Sequence, residues 1–397
     1  MENRLIVLAL GTFAIGTDSF VVAGILPDVA RSLGIGIGAA GQLITVYAAA
    51  YAVLTPIMAA LTARWPRRRV LLCGLVVFVF GNLATALSPG LALVLASRAV
   101  AGLGAAMFTP AASASAAALV PPERRGRALA MVIAGLSAAT ALGAPTGTVI
   151  GTLGSWRLTM WFVATLGALA ALGAAALLPR IPGPPPLGLR ARLAPLGDAR
   201  VAATLATTLL VFGGLFFVYS YINLVLDRAT GGDGTVLAAL LAVWGVAATI
   251  GNLVSGRLTD RFGNRPVING AIVILAADFV LLPWAGATLH GAVIVLVVWG
   301  LCGWGLLAPQ QHRLIAIAPA IAPILLALNG AAVYAGAAAA SAIGAIALRA
   351  LDAHRLGLFS AAAILAGLVA AEIAQALIRR RRSGAALMAV SQAAARN

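Results

Sequence analysis

The sequence predicts an all-α membrane protein whose twelve transmembrane helices fall into two bundles of six. Three observations carry this. Hydrophobic residues make up 62% of the chain and charged residues only 10%, against about a quarter charged in a soluble domain; a soluble protein this apolar could not cover its own surface. Twelve apolar runs fill nearly the whole chain, and each is long enough to cross a hydrocarbon core of roughly 30 Å at about 1.5 Å per residue. One long polar break, Pro179 to Arg200, separates the first six runs from the last six.

The runs cover 5–26, 39–62, 70–88, 91–118, 128–152 and 158–178, then 201–226, 235–256, 267–286, 290–308, 322–348 and 356–378. Each is expected to be helical, because backbone groups in lipid find partners only within their own segment. The first run is too long for a signal peptide and no small-residue cleavage site follows it, so it is expected to stay. The break holds Pro182, Pro184, Pro185, Pro186 and Pro195 with four arginines and reads as a stiff cytoplasmic linker. The expected domains are therefore a bundle over 1–178, a linker over 179–199, a second bundle over 200–382 and a cytoplasmic tail over 383–397.

The net charge of +16 does not point to nucleic acid. Every cation is an arginine, and the arginines cluster in short connections between apolar runs, which is a topology signal. With the N-terminus inside, 21 arginines fall on the cytoplasmic side and 5 on the outer side, leaving Arg98 within a span. Both termini are thus expected in the cytoplasm, with the protein in the inner membrane. Cys73 and Cys302 sit in separate runs and suggest neither a disulfide nor a metal site. No nucleophile–base pair, phosphate loop or metal cluster supports an enzyme, and with the spans filling the chain no room remains for a soluble catalytic domain. No cofactor is expected.

Asp18 is the only charge in the first run. A carboxylate in lipid is costly, so it is expected to face a partner, water or a proton; the alternative is an acid hydrogen-bonded to neighbouring hydroxyls. Arg98 is the only base inside a span, above a face of Gly102, Ala105, Thr109 and Ser113. A guanidinium keeps its proton, so Arg98 can hold an acid or a water chain but cannot carry the proton itself. Otherwise it snorkels to the outer interface. Asp278 and Glu372 rival Asp18 as proton carriers, and His312 reads as a loop residue at the inner end of run ten.

Polar and aromatic residues on inward faces are the candidate substrate contacts: Gln42, Tyr47, Tyr51 and Thr55 in run two; Phe212, Phe216, Tyr219 and Asn223 on one face of run seven; Asn252, Gln310, Asn329 and Tyr334 further on. Each could equally be an interhelical hydrogen bond. Trp156 and Trp284 suit interfacial anchors. In run five, Gly143, Gly147 and Gly151 recur every four residues and make a ridge for close helix packing, with Pro145 to bend the helix.

The two halves show weak internal similarity. A basic turn, Ala60 to Arg69, follows run two, and Gly256, Leu258, Asp260, Arg261, Gly263 and Arg265 follow run eight. The second copy fits the pattern Gly-x-Leu-x-Asp-Arg-x-Gly-x-Arg. In the first, Ala60, Ala63 and Pro66 replace the two glycines and the aspartate. With the Arg98–Gly104 segment, the glycines and Ala144-Pro145 of run five (Ala144 stands where a glycine is usual), and the Asp18–Pro27 stretch, the chain resembles the major facilitator superfamily, and within it the twelve-span drug:proton antiporter branch.

That resemblance implies a monomeric alternating-access transporter in a lipid bilayer that exports a small drug-like or nucleoside-like solute in exchange for protons. It implies proton coupling by Asp18 and Arg98, gating by Gly143, Pro145 and Gly147, and a cytoplasmic latch at Asp260 and Arg261. A proton symporter or facilitator for a sugar or nucleobase keeps the same fold, and a non-transporting membrane sensor or scaffold is the alternative of another class.

Overall fold

A computed structural model describes residues 2–181, 183 and 186–394, with Pro122 and 382–394 described by backbone alone. Twelve helices are long and apolar enough to cross a membrane. They are α1 (Glu2–Leu33), α2 (Ile37–Leu61), α3 (Arg67–Leu87), α4 (Leu91–Ala118), α5 (Arg125–Leu153) and α6 (Trp156–Leu177), then α7 (Ala199–Tyr219), α8 (Gly234–Phe262), α9 (Asn264–Ala285), α10 (Leu289–Ile317), α11 (Ala322–Ala347) and α12 (Leu356–Ala394). All other regular structure among the described residues consists of short helical turns.

Most ends fall within a few residues of the hydropathy boundaries. Two do not. The seventh run was expected to continue to 226, but α7 stops at Tyr219, and Ile222–Val225 forms a separate turn. Tyr221 between them is fully buried and donates its hydroxyl to the Ser341 carbonyl, 2.7 Å away, which redirects the chain. The tenth run was expected to end near 308, yet the helix bends at Leu306 and continues to Ile317. Its last segment buries Gln310 and Arg313, so local hydropathy reads it as a loop. His312 consequently lies on this helix, exposed, rather than in a loop.

Asp198 caps α7, accepting from the Arg200 N–H. Hydrogen bonds from the Arg200 side chain hold the Asp198 carboxyl below the usual carboxylate range, so whatever stability the pair adds is present above about pH 4 and lost as the pH falls through the lowered value. In the preceding connection, Ile181 accepts from the Arg67 N–H and ties the segment to the start of α3. The linker prolines Pro182, Pro184 and Pro185, and residues 395–397 of the expected tail, lie outside the described residues. The backbone of α12 runs helical through most of that tail, to Ala394.

The packing repeats after six helices. In the first half α1 packs on α5 and α6, α2 on α4, and α3 on α4 and α6. In the second, α7 packs on α11 and α12, α8 on α10, and α9 on α10 and α12. The halves meet along α2–α11 and α5–α8, a pair of seams related by the same shift. The connections at residues 62–66, 119–124 and 178–198, with Arg67, Arg68, Arg69, Arg125, Arg127 and Arg200 on the helix ends beside them, define an arginine-rich face; those at 34–36, 88–90 and 154–155, which hold no arginine, define the opposite, arginine-poor face, on which 348–355 also lies.

Small residues set the seam between α1 and α5. A Cβ on Gly135 would strike the Ala9 carbonyl, one on Gly143 the Thr17 hydroxyl, one on Gly147 the Val21 side chain and one on Gly151 Ile25. From the other side, Gly16 faces Ala139 and Gly24 faces Thr148. The glycine ridge of run five therefore receives α1. Pro145 has no N–H for the Ala141 carbonyl, and the turn before it widens into a π-turn over Ala139–Gly143. That turn packs on α1 and on α8, where Gly245 lies against the Thr140 carbonyl.

Gly147→Ala is expected to cost about 1–3 kcal/mol by overpacking, read as a lower melting temperature in detergent. Gly126→Ala, which meets nothing at its helix start, is expected to leave it unchanged or raise it.

Candidate functional site

The site is built on consecutive residues of α1. At about 100° per residue, neighbours on a helix point in different directions, and Asp18, Ser19 and Phe20 use this to face three sets of partners.

Asp18 points into the first half. Its Oδ1 accepts from Arg98 Nη1 of α4 at 2.6 Å, with side-chain exposures of 0% and 1%. Asn82 of α3 donates to Asp18 Oδ2 at 3.4 Å and accepts from Arg98 at 3.4 Å. The Arg98 guanidinium also lies 4.5 Å from the centre of the Tyr47 ring. Arg98 is therefore a buried partner and does not snorkel to an interface. Leaving either ion buried alone is strongly unfavourable, so α1 and α4 are held together by charge.

Ser19 sits on the seam between halves. It donates to the Tyr47 hydroxyl at 3.2 Å and lies 3.0 Å from the Tyr334 hydroxyl of α11. Tyr334 stacks on Tyr51, ring centres 3.8 Å apart. A continuous contact path thus joins the ion pair, through Tyr47 and Ser19, to the second half.

Phe20 crosses into that half. Its ring is 6.2 Å from Phe216, 5.6 Å from Tyr219, 5.9 Å from Trp244 and 5.6 Å from Trp304. Together with Phe212, Leu215 and Trp299 these residues line a narrow cavity with free space for about one water molecule. A second small cavity lies between α5, α8 and α10, beside Ser137, Thr140, Thr249 and Asn252. Trp304 lines both cavities. The second lies nearer the arginine-rich face.

The other side-chain hydrogen bonds between halves lie towards the arginine-poor face. Tyr219 donates to the Phe20 carbonyl at 3.1 Å, Asn223 to Ala23 at 3.0 Å and Ser341 to Gly41 at 3.0 Å. Among the described residues, the side-chain hydrogen bonds that cross between the halves are these and Ser19–Tyr334. These bonds tie the two halves together on the arginine-poor side.

Several residues singled out from the sequence do not join this site. Asn223 is not on the α7 face with Phe216 and Tyr219; it lies on the turn after the helix, because Tyr221 breaks the run. Gln42 donates within its own helix, to Gly38. Asn329 accepts from Thr208 at 2.8 Å, while Gln310 donates to Thr208 and to the Thr204 carbonyl, making a buried polar knot between α7, α10 and α11. Trp284 is exposed as expected of an anchor, but Trp156 is buried in the core.

Asp260 is not in a turn or at a helix N-terminus. Helix α8 carries it into its own last turn, exposed and without a side-chain partner among the described residues. Arg261 stacks on Phe262, and Arg265 instead makes two bonds to Glu372 of α12, at 2.9 and 2.6 Å. Gly263 alone makes the turn, at φ +81° and ψ 169°, a conformation essentially restricted to glycine. Asp278 is buried on α9, away from both cavities, with Oδ2 unpartnered.

Sequence reasoning missed Asn82, Phe20, Trp244, Trp299 and Trp304. An asparagine in the middle of an apolar run is a usable signal. The tryptophans give none, since hydropathy counts them simply as apolar.

Residues 8–341 match the family model described as Major Facilitator Superfamily. The chain is 32% identical over 340 residues to the inner membrane transport protein YdhP of Escherichia coli (strain K12), covering 86% of this chain and 87% of that one. It is 30% identical over 343 residues to the MFS-type transporter YbcL of Bacillus subtilis (strain 168), covering 86% and 88%. It is 34% identical over 290 residues to a chloramphenicol resistance protein of Streptomyces lividans, covering 72% of each. In structure it resembles a D-xylose-proton symporter, with a TM-score of 0.76, 17% identity and coverage of 94% and 96%.

Removing one partner of the central ion pair, by Asp18→Leu or Arg98→Leu, is expected to destabilise the protein by about 3–5 kcal/mol. The double variant is expected to recover most of that. A double-mutant cycle on thermal unfolding in detergent checks both.

Proposed function

The chain belongs to the Major Facilitator Superfamily, and from that premise we propose that it exports a small organic solute, drug-like or nucleoside-like, in exchange for protons. It works by alternating access, with both termini in the cytoplasm, where the arginine bias puts them, and with the arginine-rich face as the inner face. It acts as a monomer, and the proton gradient is its only energy source.

The observation that carries this reading is the contact path from Asp18 and Arg98, through Tyr47 and Ser19, to Tyr334. It couples one buried ion pair to the seam that must part when the outer face opens. With Asp18 ionised and the cavity empty, the pair holds Arg98, Tyr47 and α1 in place and the seam stays shut. Two events release it. A proton on Asp18 removes the charge that holds Arg98. A solute entering against Phe20 shifts α1 two residues from Asp18. An exchanger needs this logic: either the solute or the proton permits the swing, and an empty, unprotonated protein stays put.

The π-turn at Ala139–Gly143 lies where α5 meets both Thr17 of α1 and Gly245 of α8, so it is the place for the halves to hinge. Asp260 and Arg261, free of each other in this state, engage when the inner face closes. Export of a neutral drug-like solute is favoured over sugar uptake by the aromatic lining and by the similarity to a chloramphenicol resistance protein.

In inverted proteoliposomes with an acidic lumen, a neutral solute such as chloramphenicol or a nucleoside is expected to accumulate, and to stop when the gradient is collapsed. Asp18→Asn is expected to fold, insert and lose this gradient-driven accumulation. An acidic lumen that empties the vesicles indicates symport; no flux for any solute indicates a sensor or scaffold. Unchanged coupling in Asp18→Asn rules out the role given to the ion pair.

A further inference from the structure

The aromatic cavity carries a chemical preference that its shape alone does not. Its lining holds no ionised side chain. The Tyr219 hydroxyl is already committed to the Phe20 carbonyl. The indole N–H groups of Trp244 and Trp299 are different. These side chains come from adjacent helices, α8 and α10, with ring centres 5.7 Å apart. They are 3% and 1% exposed, and both N–H groups are buried without any acceptor. An indole can only donate, and buried donors nearly always have partners. Two buried donors without an acceptor, on side chains that line one cavity, therefore call for an acceptor from outside the chain.

Two classes of guest compete for such a site. Aromatic faces attract organic cations. Here, however, a cation meets no counter-charge on the lining, loses its hydration and offers nothing to the two N–H groups. A neutral planar molecule stacks on the same rings and gives each N–H an oxygen or nitrogen to bond. In this state the cavity is narrow, with free space for about one water molecule, so a one-ring guest enters as the aromatic side chains part.

We propose that the cavity bounded by Phe20, Phe216, Trp244, Trp299 and Trp304 binds neutral, planar solutes bearing two hydrogen-bond acceptors such as carbonyl or nitro groups, held by the indole N–H groups of Trp244 and Trp299, and that it rejects organic cations. This names the substrate class of the exporter proposed above, but it is tested by binding alone.

Calorimetry on the full-length protein in detergent uses two probes of one ring each, 4-nitrobenzamide and trimethylphenylammonium. The neutral probe is expected to bind at least tenfold more tightly than the cation. Trp244→Phe and Trp299→Phe are each expected to weaken 4-nitrobenzamide about tenfold, or about 1.4 kcal/mol, without changing the response to the cation. Should either variant fold poorly, a tryptophan isostere with sulfur in place of the ring N–H removes the donor and keeps the shape. Equal or tighter binding of the cation, indifference of 4-nitrobenzamide to loss of both donors, or no binding of 4-nitrobenzamide at millimolar concentration overturns the proposal. Binding as described without proton-driven flux would instead count against the export reading and leave this one standing.

Discussion

A carboxylate and a guanidinium 2.6 Å apart, shut away from solvent among four helices, are the constraint on which the rest of this structure depends. Neither charge is tolerable there without the other, so α1 and α4 cannot drift apart while both are ionised. Asn82 closes the group on one side and the Tyr47 ring covers the cation on the other. Because Ser19 and Phe20 follow directly on the helix, whatever moves Asp18 also moves the seam at Tyr334 and the aromatic wall around Trp244. Coupling then needs no long-range wire. It needs three adjacent residues on one rigid helix, each facing a different partner.

The repeated packing makes the two halves alike in outline, yet their contents differ. The first half holds the ion pair. The second holds the aromatic cavity and, nearer the arginine-rich face, the neutral knot of Thr208, Gln310 and Asn329. Helix α1 spans this difference. It is zipped to α5 through glycines and presents Phe20 across the interface. Close packing of this kind transmits displacement, because a glycine seam with no slack cannot absorb a shift of its neighbour. The π-turn beside Pro145 is the one interruption in that seam.

Individual residues show how far a linear reading goes. Asp18 and Arg98 each stand out as a lone charge in an apolar run, but nothing in the sequence says that two side chains eighty positions apart touch. The glycine spacing of run five announces a close helix contact without saying that α1 makes it. Asn223 is misread because the break at Tyr221 comes from a tertiary hydrogen bond to α11, and Asp260 because α8 continues through a stretch whose charges suggest a loop. Trp244, Trp299 and Trp304 pass unnoticed, since their value lies in meeting one another.

The sequence by itself determined that this is a membrane protein, that it crosses twelve times and that a proline-rich break follows the sixth crossing; its arginine bias carries the orientation proposed above. These are properties each segment must satisfy alone, because lipid offers no partner for exposed backbone or charge. Only the tertiary structure decided which faces meet: Asp18 with Arg98, Ser19 with Tyr334, Phe20 with the tryptophans. Those contacts depend on the rotation and register of whole helices against one another, and small residues, a π-turn and a single tyrosine hydroxyl are enough to set them.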